Sequence, residues 1–173
     1  MVFEVLLETN AMQIENGDIQ SPDRKKAIDK LKAVVKHNPI CLFTTNLAEL
    51  PLHARPMSTS KVCDQGNFWF LSARDSSENE EIGLDPRVQL FFANPSDLEY
   101  LTVYGKASIS NDLSKIEELW TPQAKAWFAK GSNDPGITVI KVKPEEVFCW
   151  DNKNDKMVAL FIANPIPVLS INR

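Results

Sequence analysis

The sequence has few of the residues on which metal and phosphate chemistry depends. It contains 2 histidines, 3 cysteines and 6 glycines among 173 residues. Neither a Cys-x-x-Cys nor a His-Glu-x-x-His pattern is present, so we expect no protein-held metal of the common zinc type. The glycine-rich loops of kinases and Rossmann dehydrogenases and the Gly-x-Ser-x-Gly elbow of serine hydrolases are also absent, which excludes those classes.

Basic clusters and long hydrophobic runs are lacking as well. The 19 Lys+Arg and 23 Asp+Glu give a formal net charge of −4, and the densest basic stretch, Arg24-Lys25-Lys26, lies between Asp23 and Asp29. This pattern is typical of the solvated face of a helix, so we expect no nucleic-acid partner. Apolar runs such as Ile40–Phe43 fall far short of the roughly 20 residues of a membrane helix. We therefore expect no membrane partner.

The cysteines and the first residues predict the compartment. Cys41, Cys63 and Cys149 are an odd number, and each lies in an apolar or strand-like run, which favours buried thiols in a reducing environment. No basic residue precedes the apolar Val5-Leu6-Leu7, as a signal peptide would require. Both observations predict a cytoplasmic protein.

The length is typical of one domain with a substantial core. Residues 1–20 show no sustained hydrophobic period and are predicted to form an N-terminal arm. We expect residues 21–162 to form a single domain and residues 163–173 a C-terminal tail.

Three helical segments are predicted. Ser21-Pro22-Asp23 gives an N-cap, a first-turn proline and an acid, and apolar residues then recur at helical spacing until Pro39. A short helix is predicted for residues 76–84, in which Glu78, Glu80 and Glu81 are expected to be solvated charges. A longer helical insert, divided by a proline, is predicted for residues 112–130.

Strand-like runs fill most of the remaining chain. They are predicted at residues 40–45, 52–62, 67–73, 87–94, 98–109, 137–143 and 146–150. Asp64-Gln65-Gly66-Asn67 predicts a hairpin turn between two of them. Short strands at hairpin spacing, with only three helical segments, favour a mainly β fold, an antiparallel barrel or sandwich with helical excursions.

A series of motifs then resembles a known family. The motifs are Arg55-Pro56-Met57, Phe68–Ser72, Asp85–Phe92, Tyr100–Ala107, a tryptophan-containing insert, Asn133–Ile137 and Phe148–Asp151. In this order, about residues 25–152 resemble the pyridoxamine 5′-phosphate oxidase-like split barrels that bind flavin mononucleotide (FMN), in particular their general stress protein branch. The resemblance implies an antiparallel split β-barrel and a homodimer with flavin sites at the subunit interface. It also implies a flavin-dependent oxidoreductase with a small-molecule redox substrate that the sequence does not identify.

The resemblance implies that residues of two strands hold FMN as a non-covalent cofactor. Arg55 can give the phosphate a bidentate contact, because its guanidinium presents two parallel donors. Pro56 and Met57 are expected to break regular pairing, so that Met57 and Ser58 can direct backbone groups at the flavin ring. Further along the chain, the matching positions that hold the flavin by hydroxyl and main chain are Ser72 and Ala73.

One position departs from the family pattern. Glu78 stands where the family places a phosphate-binding lysine, and a carboxylate there repels a phosphate. Arg74 can replace the missing cation, helped by Ser76, Ser77 and the helix N-terminus. Arg74 and Ser77 are therefore included among the predicted cofactor-binding residues.

The tryptophans are the remaining predicted site residues. In the family, the insert and the closing tryptophan come near the flavin edge, in part from the partner subunit. Trp127 and Trp150 are candidates for these roles, with a core position as the alternative for each. Trp120, at helical spacing with other apolar residues, is predicted to be core.

No catalytic side chain is assigned. His53, close to Arg55, is the nearest group that could exchange protons near neutral pH. The alternatives left open are a flavin-binding stress or sensor protein without turnover, a degenerate barrel that serves as an interaction module, and a haem-handling barrel with His37 or His53 as ligand. Pyridoxamine phosphate oxidase activity itself is not expected, because Ile166–Arg173 holds a single arginine where that enzyme has an arginine-rich segment.

Overall fold

The structure, a computed structural model, describes residues 22–151 and 156–162. The predicted arm at residues 1–20, the predicted cap Ser21 and the predicted tail at residues 163–173 lie outside the described residues. Within the described residues, no helix has the length and apolar character needed to cross a membrane.

The three predicted helical segments are present in the part of the chain that the structure describes. They are α1 (Pro22–His37), α2 (Ser77–Leu84) and α3 (Leu113–Leu119), the last followed by a 3-10 turn at Ala124–Ala126. α1 ends before Pro39 as expected, because proline disfavours helical geometry in the preceding residue. The insert is less helical than predicted, since α3 ends at Leu119 and Pro122 separates it from the 3-10 turn.

Eight strands form one antiparallel sheet among the described residues. They are β1 (Ile40–Thr45), β2 (His53–Ser58), β3 (Lys61–Val62), β4 (Phe68–Ala73), β5 (Arg87–Asn94), β6 (Glu99–Ser110), β7 (Ile137–Asp151) and β8 (Lys156–Ile162). Their order is β2-β1-β5-β6-β7-β4-β3, and β8 pairs with β7. The mainly antiparallel β fold predicted from the sequence is confirmed.

The sheet curls back on itself because consecutive strands lie at its opposite ends. β2 and β3 are the two ends of the strand order, yet only Thr59 and Ser60 separate them in the chain. Thr59 donates from its backbone nitrogen to the Pro39 carbonyl at 2.8 Å, and Ser60 donates to the Trp69 carbonyl at 2.8 Å. The short link therefore holds both ends of the sheet together, as in a barrel that is only partly closed.

Three features of the sheet differ from the prediction. The predicted strand at residues 52–62 is two strands, because the chain crosses from one end of the sheet to the other at Thr59. The predicted strands at residues 137–143 and 146–150 are one, β7, which runs through Pro144. That proline pairs with Gly105 at a register shift in β6, where the ladder is interrupted and a missing donor is tolerated. β8 was not predicted.

The predicted hairpin between β3 and β4 is confirmed. Gly66 adopts a φ of +83°, and the Cys63 backbone nitrogen donates to the Asn67 carbonyl at 3.0 Å. None of the three cysteines, all of which lie among the described residues, forms a disulfide, and Cys41 and Cys149 are buried as expected. Burial raises the pKa of the Cys41 thiol to about 12. Cys63 is only half-buried, contrary to expectation, because it borders the hairpin turn.

Two apolar clusters lie on the two faces of the curled sheet. The main core combines α1 with the inner face, where Phe43 and Phe70 meet edge to face with ring centroids 5.2 Å apart. On the outer face, α3 packs over β4 and β7. That second cluster consists of Ile116, Leu119, Ile137 and Val139, with Trp69, Leu71, Trp120 and Phe128 packed against it. Trp120, which the sequence predicts to be core, packs against this second cluster but is only half-buried.

Candidate functional site

The site begins where β4 turns into α2. Ser76 caps α2 by accepting a hydrogen bond from the Asn79 backbone nitrogen, which fixes the first turn of the helix. Glu78 and Glu81, three positions apart, then share one face of α2. Their side chains are 15% and 17% exposed. The expectation of solvated charges is therefore wrong for these two residues, and only Glu80 is exposed.

Arg55 reaches this face of α2 from β2. Its guanidinium donates from Nη2 to Glu81 Oε2 at 2.8 Å and from Nη1 to Thr45 Oγ1 at 3.0 Å. Nη1 also lies 4.0 Å from Glu78 Oε2. The arginine is 22% exposed, so it lies between two partly buried carboxylates and is not the free phosphate donor that the resemblance implies.

The second carboxylate is held from β4. Ser72, which is buried, donates from Oγ to Glu78 Oε1 at 2.8 Å and lies 3.0 Å from Ser76 Oγ. Glu78 thus connects the serine hydroxyls at the end of β4 with Arg55 on β2. The structure therefore brings together Arg55 and Ser72, two residues that the sequence places in one site.

Glu81 is the most strongly anchored carboxylate of this site. Burial alone would raise the pKa of Glu81, but hydrogen bonds from Thr45, His53 and Arg55 outweigh burial and lower its pKa to about 2. His53 Nδ1 lies 2.6 Å from Glu81 Oε1. The carboxylate stays ionised in any ordinary buffer, and it neutralises the arginine beside it. We call Arg55, His53, Glu78 and Glu81 the arginine–carboxylate cluster.

The other predicted residues of β2 fall on both faces of the strand. Met57 shares the inner face with Arg55 and packs against the main core. Pro56 and Ser58 are exposed on the opposite face. The expectation that Pro56 and Met57 break regular pairing is wrong, because β2 pairs with β1 in continuous register, with Pro56 opposite Leu42. β2 is also an end strand of the described sheet, so the backbone groups on its free edge have no strand partner there.

Arg74 lies on a neighbouring cavity and not in the cluster. Together with Asn79 and Thr138 it lines an open cavity of about 350 Å³. Asn79 donates to Ala73 O at 2.9 Å and to Thr138 Oγ1 at 2.7 Å, which closes the floor of this cavity. Ser76 belongs to both places, because it lines the cavity and contacts Ser72. Ser77, the first residue of α2, is exposed.

Among the described residues, neither tryptophan of the predicted site contacts the arginine–carboxylate cluster. Trp127 is 82% exposed at the end of the 3-10 turn. Trp150 is half-buried and pairs with Tyr100, on the face of β7 opposite the buried Cys149. Trp127 is thus not core in a single chain, whereas the position of Trp150 leaves both of its alternatives open.

Sequence reasoning missed Glu81 and Thr45. Thr45 is buried at the end of β1, and its hydroxyl accepts from Arg55 and donates to Glu81, which adds to the direct contact between these two residues. The spacing of Glu78 and Glu81 by three residues was a usable signal, because it places both carboxylates on one helix face. No local pattern identifies Thr45, which comes to the site only through the pairing of β1 with β2.

The fold and this site define the class of protein: an antiparallel split β-barrel with a polar site between its end strand β2 and the helix that follows β4. Residues 26–165 match the family model described as pyridoxamine 5′-phosphate oxidase like. The chain therefore belongs to the pyridoxamine 5′-phosphate oxidase-like family, which confirms the resemblance read from the sequence.

The chain is also similar to individual proteins. The chain is 26% identical over 138 residues to the protein bli-3 of Neurospora crassa, a match that covers 74% of this chain and 66% of that protein. The chain thus spans slightly less than two thirds of the Neurospora protein. A protein of Clostridium acetobutylicum related to general stress protein 26 of B. subtilis has a TM-score of 0.67 at 19% identity, covering 78% of this chain and 94% of its own.

A second solved structure is that of a flavin-binding protein. The general stress FMN/FAD binding protein of Xanthomonas citri has a TM-score of 0.64 at 22% identity, covering 74% of this chain and 90% of its own. At such identities the likeness shows the fold. The split-barrel prediction is confirmed by both structures.

The residues at this site fit the flavin ring of FMN better than they fit its phosphate. The free edge of β2 offers backbone donors and acceptors of the kind that a flavin pyrimidine edge needs. A phosphate, by contrast, needs uncommitted donors or cations. Arg55 is committed to Glu81 and faces Glu78, so the arginine–carboxylate cluster as it stands does not fit a phosphate.

Proposed function

We propose that this protein is a flavin-binding protein whose flavin lies along β2, beside the arginine–carboxylate cluster. The observation that carries the proposal is the convergence of β2 with the β4–α2 turn, through Arg55, Glu78 and Ser72, in a chain of this family. The FMN/FAD binding of the Xanthomonas relative supports a flavin as the ligand class. FMN in particular stays a prediction, because its phosphate requires a cation that Arg55 does not offer.

A bound flavin would supply the redox chemistry, and the chain would supply orientation. The free edge of β2 would hold the ring through backbone groups. His53 is 48% exposed, and its Nδ1 lies 2.6 Å from a Glu81 carboxylate oxygen, so its ring lies at the exposed side of the cluster. A small-molecule redox substrate can approach from this exposed side. The predicted flavin-dependent oxidoreductase activity rests on this arrangement.

Titration of the purified protein with riboflavin and with FMN tests the proposal, with flavin fluorescence and absorbance as the readouts. We expect saturable binding of one flavin per chain and a shifted absorbance spectrum. Failure of both ligands to bind would contradict the proposed function and would favour the interaction-module alternative, since the cluster would then be a structural ion pair.

Arg55→Ala is expected to weaken FMN binding by roughly 1.5–3 kcal/mol, because Glu78 and Glu81 would face the anionic ligand without a neutralising cation. Arg87→Ala is the matched control, since Arg87 is an exposed arginine paired only with the neighbouring Asp85 among its described contacts. Isothermal titration of both variants measures the difference. Equal FMN affinities in the two variants would place the flavin away from β2.

We also propose that the protein is a homodimer with its flavin sites at the subunit interface. An apolar row crosses the outer face of β1 and β5, where Ile40, Leu42 and Phe91 are 55%, 52% and 41% exposed. Pro56 adjoins this row by pairing with Leu42. Trp127, for which the resemblance implies a role near the partner's flavin, is 82% exposed in the single chain and so is accessible to a second copy.

Leu42→Glu is expected to convert the dimer into a monomer, because a charge at the centre of an apolar contact is not compensated there. Leu84→Glu serves as the control, since Leu84 is a leucine on α2 outside the apolar row and is even more exposed than Leu42, at 83% against 52%. Light scattering should give twice the chain mass of 19.5 kDa for the wild type and the control, and one chain mass for Leu42→Glu. A dimeric Leu42→Glu protein would place the interface elsewhere.

Turnover separates the oxidoreductase from the non-catalytic sensor. Oxidation of a reduced nicotinamide faster than that catalysed by the same concentration of free flavin would support the enzyme. A rate no higher than that of free flavin would favour the sensor. Cytoplasmic location remains a prediction, supported by cysteines that form no disulfide within the described residues.

A further inference from the structure

In the arginine–carboxylate cluster, the positive charge of Arg55 already has carboxylate partners without a ligand. Arg55 donates to Glu81 at 2.8 Å and faces Glu78 at 4.0 Å, so one guanidinium is matched by two carboxylates. With His53 neutral the cluster carries one net negative charge, and with His53 protonated it carries none. A terminal phosphate, with a charge of about −1.5 to −2 near neutral pH, would bring a third anionic group to this cluster.

Glu78 is not free to withdraw from an incoming phosphate. Its Oε1 accepts the hydrogen bond of Ser72 at 2.8 Å, and Ser72 is a buried residue. Movement of Glu78 would deprive this hydroxyl of its charged acceptor. The side chain that most directly opposes a phosphate is therefore held in place from the end of β4.

The same carboxylates suit an alcohol. Ionised carboxylates are hydrogen-bond acceptors only, phosphate oxygens are also acceptors, and a hydroxyl is a donor. The ribityl chain of a flavin ends in a hydroxyl when it lacks a phosphate. Such an end can donate to Glu78 or Glu81, whereas a phosphate end places acceptor against acceptor.

We propose that this site selects a flavin without a terminal phosphate, so that riboflavin binds in preference to FMN, and that Glu78 is the residue that sets this preference. The inference rests on the proposed flavin site. It extends that proposal by naming the form of the ligand and the residue that discriminates between the two forms.

The test compares the dissociation constants of riboflavin and FMN, which differ only in the phosphate, for the wild type, Glu78→Gln and Glu80→Gln. We expect riboflavin to bind the wild type about tenfold tighter than FMN or better, since like charges at close range oppose FMN. Glu78→Gln keeps an amide oxygen to accept from Ser72 but loses the charge, and it should reduce the preference severalfold. Glu80→Gln removes an equal charge from an exposed position on the same helix and should leave the preference unchanged.

The outcomes separate this inference from the proposed function. Loss of binding for both flavins in the wild type overturns the flavin site itself. If the wild type binds both flavins and its affinity for FMN equals or exceeds that for riboflavin, only the preference is overturned. Loss of this FMN binding in Arg74→Ala would then assign the phosphate to the cavity beside Asn79. An equal change in Glu78→Gln and Glu80→Gln overturns the role of Glu78. Thermal melting of each variant confirms that binding is compared between folded proteins.

Discussion

Gly105→Ala is expected to lower the free energy of unfolding by about 3 kcal/mol. A Cβ at this position would lie 2.3 Å from the Lys143 carbonyl oxygen and 3.0 Å from Pro144 Cα. Both neighbours are backbone atoms, so no flexible side chain can move aside. Gly105 sits at the register shift of the β6–β7 ladder, and the whole sheet must adjust if that ladder is displaced.

Gly83→Ala is the matched control, and its effect should have the opposite sign. Gly83 lies inside α2, and nothing lies within 4 Å of an added Cβ. Alanine should therefore stabilise the protein by about 0.5–1 kcal/mol, because glycine loses more backbone entropy in a helix. Urea unfolding of both variants measures the difference. A Gly105→Ala protein as stable as Gly83→Ala would show that β6 and β7 do not approach as closely as described.

The second large effect is a loss of stability at acidic pH. The pKa of Glu81 is about 2 in the folded protein against an ordinary value of 4.5. A carboxylate with a lowered folded pKa contributes stability that is complete above its unfolded pKa. That contribution is lost as the pH falls from about 4.5 towards 2. We therefore expect the free energy of unfolding to drop through this interval.

Glu81→Gln isolates the contribution of this residue from that of other carboxylates. At pH 7 the variant should be less stable than the wild type by about 2 kcal/mol, the size typical of hydrogen bonds to a charged group. The difference should shrink as the pH falls through the interval, since the wild-type carboxyl is then protonated. Glu80→Gln, at an exposed position, should follow the wild-type curve. A difference for Glu81→Gln that is independent of pH would contradict the ion-pair geometry at Arg55.

The sequence predicts the local elements of the fold well because they depend on local chemistry. The apolar spacing after Pro22 predicts α1, and the glycine at position 66 predicts the β3–β4 hairpin through the positive φ that it adopts. The order of the family motifs predicts the split barrel. The signals for α1 and for the hairpin lie within a few residues of one another in the chain, whereas the motif order extends over about residues 25–152 and predicts the fold through the family resemblance.

The features that the sequence does not predict depend on distant pairings. The continuity of β7 through Pro144 requires the gap in the ladder that Gly105 creates across the sheet. The role of Glu81 requires Thr45 and Arg55, which strand pairing brings to the same end of β1 and β2. A glutamate in α2 therefore looks solvated in the sequence, although the fold makes it the partner of the one arginine on β2.

The most direct test of the account is equilibrium dialysis of the purified protein against an equimolar mixture of riboflavin and FMN. Chromatography of the flavin retained with the protein identifies and quantifies each form. The account predicts retained flavin at a stoichiometry approaching one per chain, with riboflavin in clear excess. Protein that retains neither flavin above its free concentration would contradict the central claim that this barrel is a flavin-binding protein.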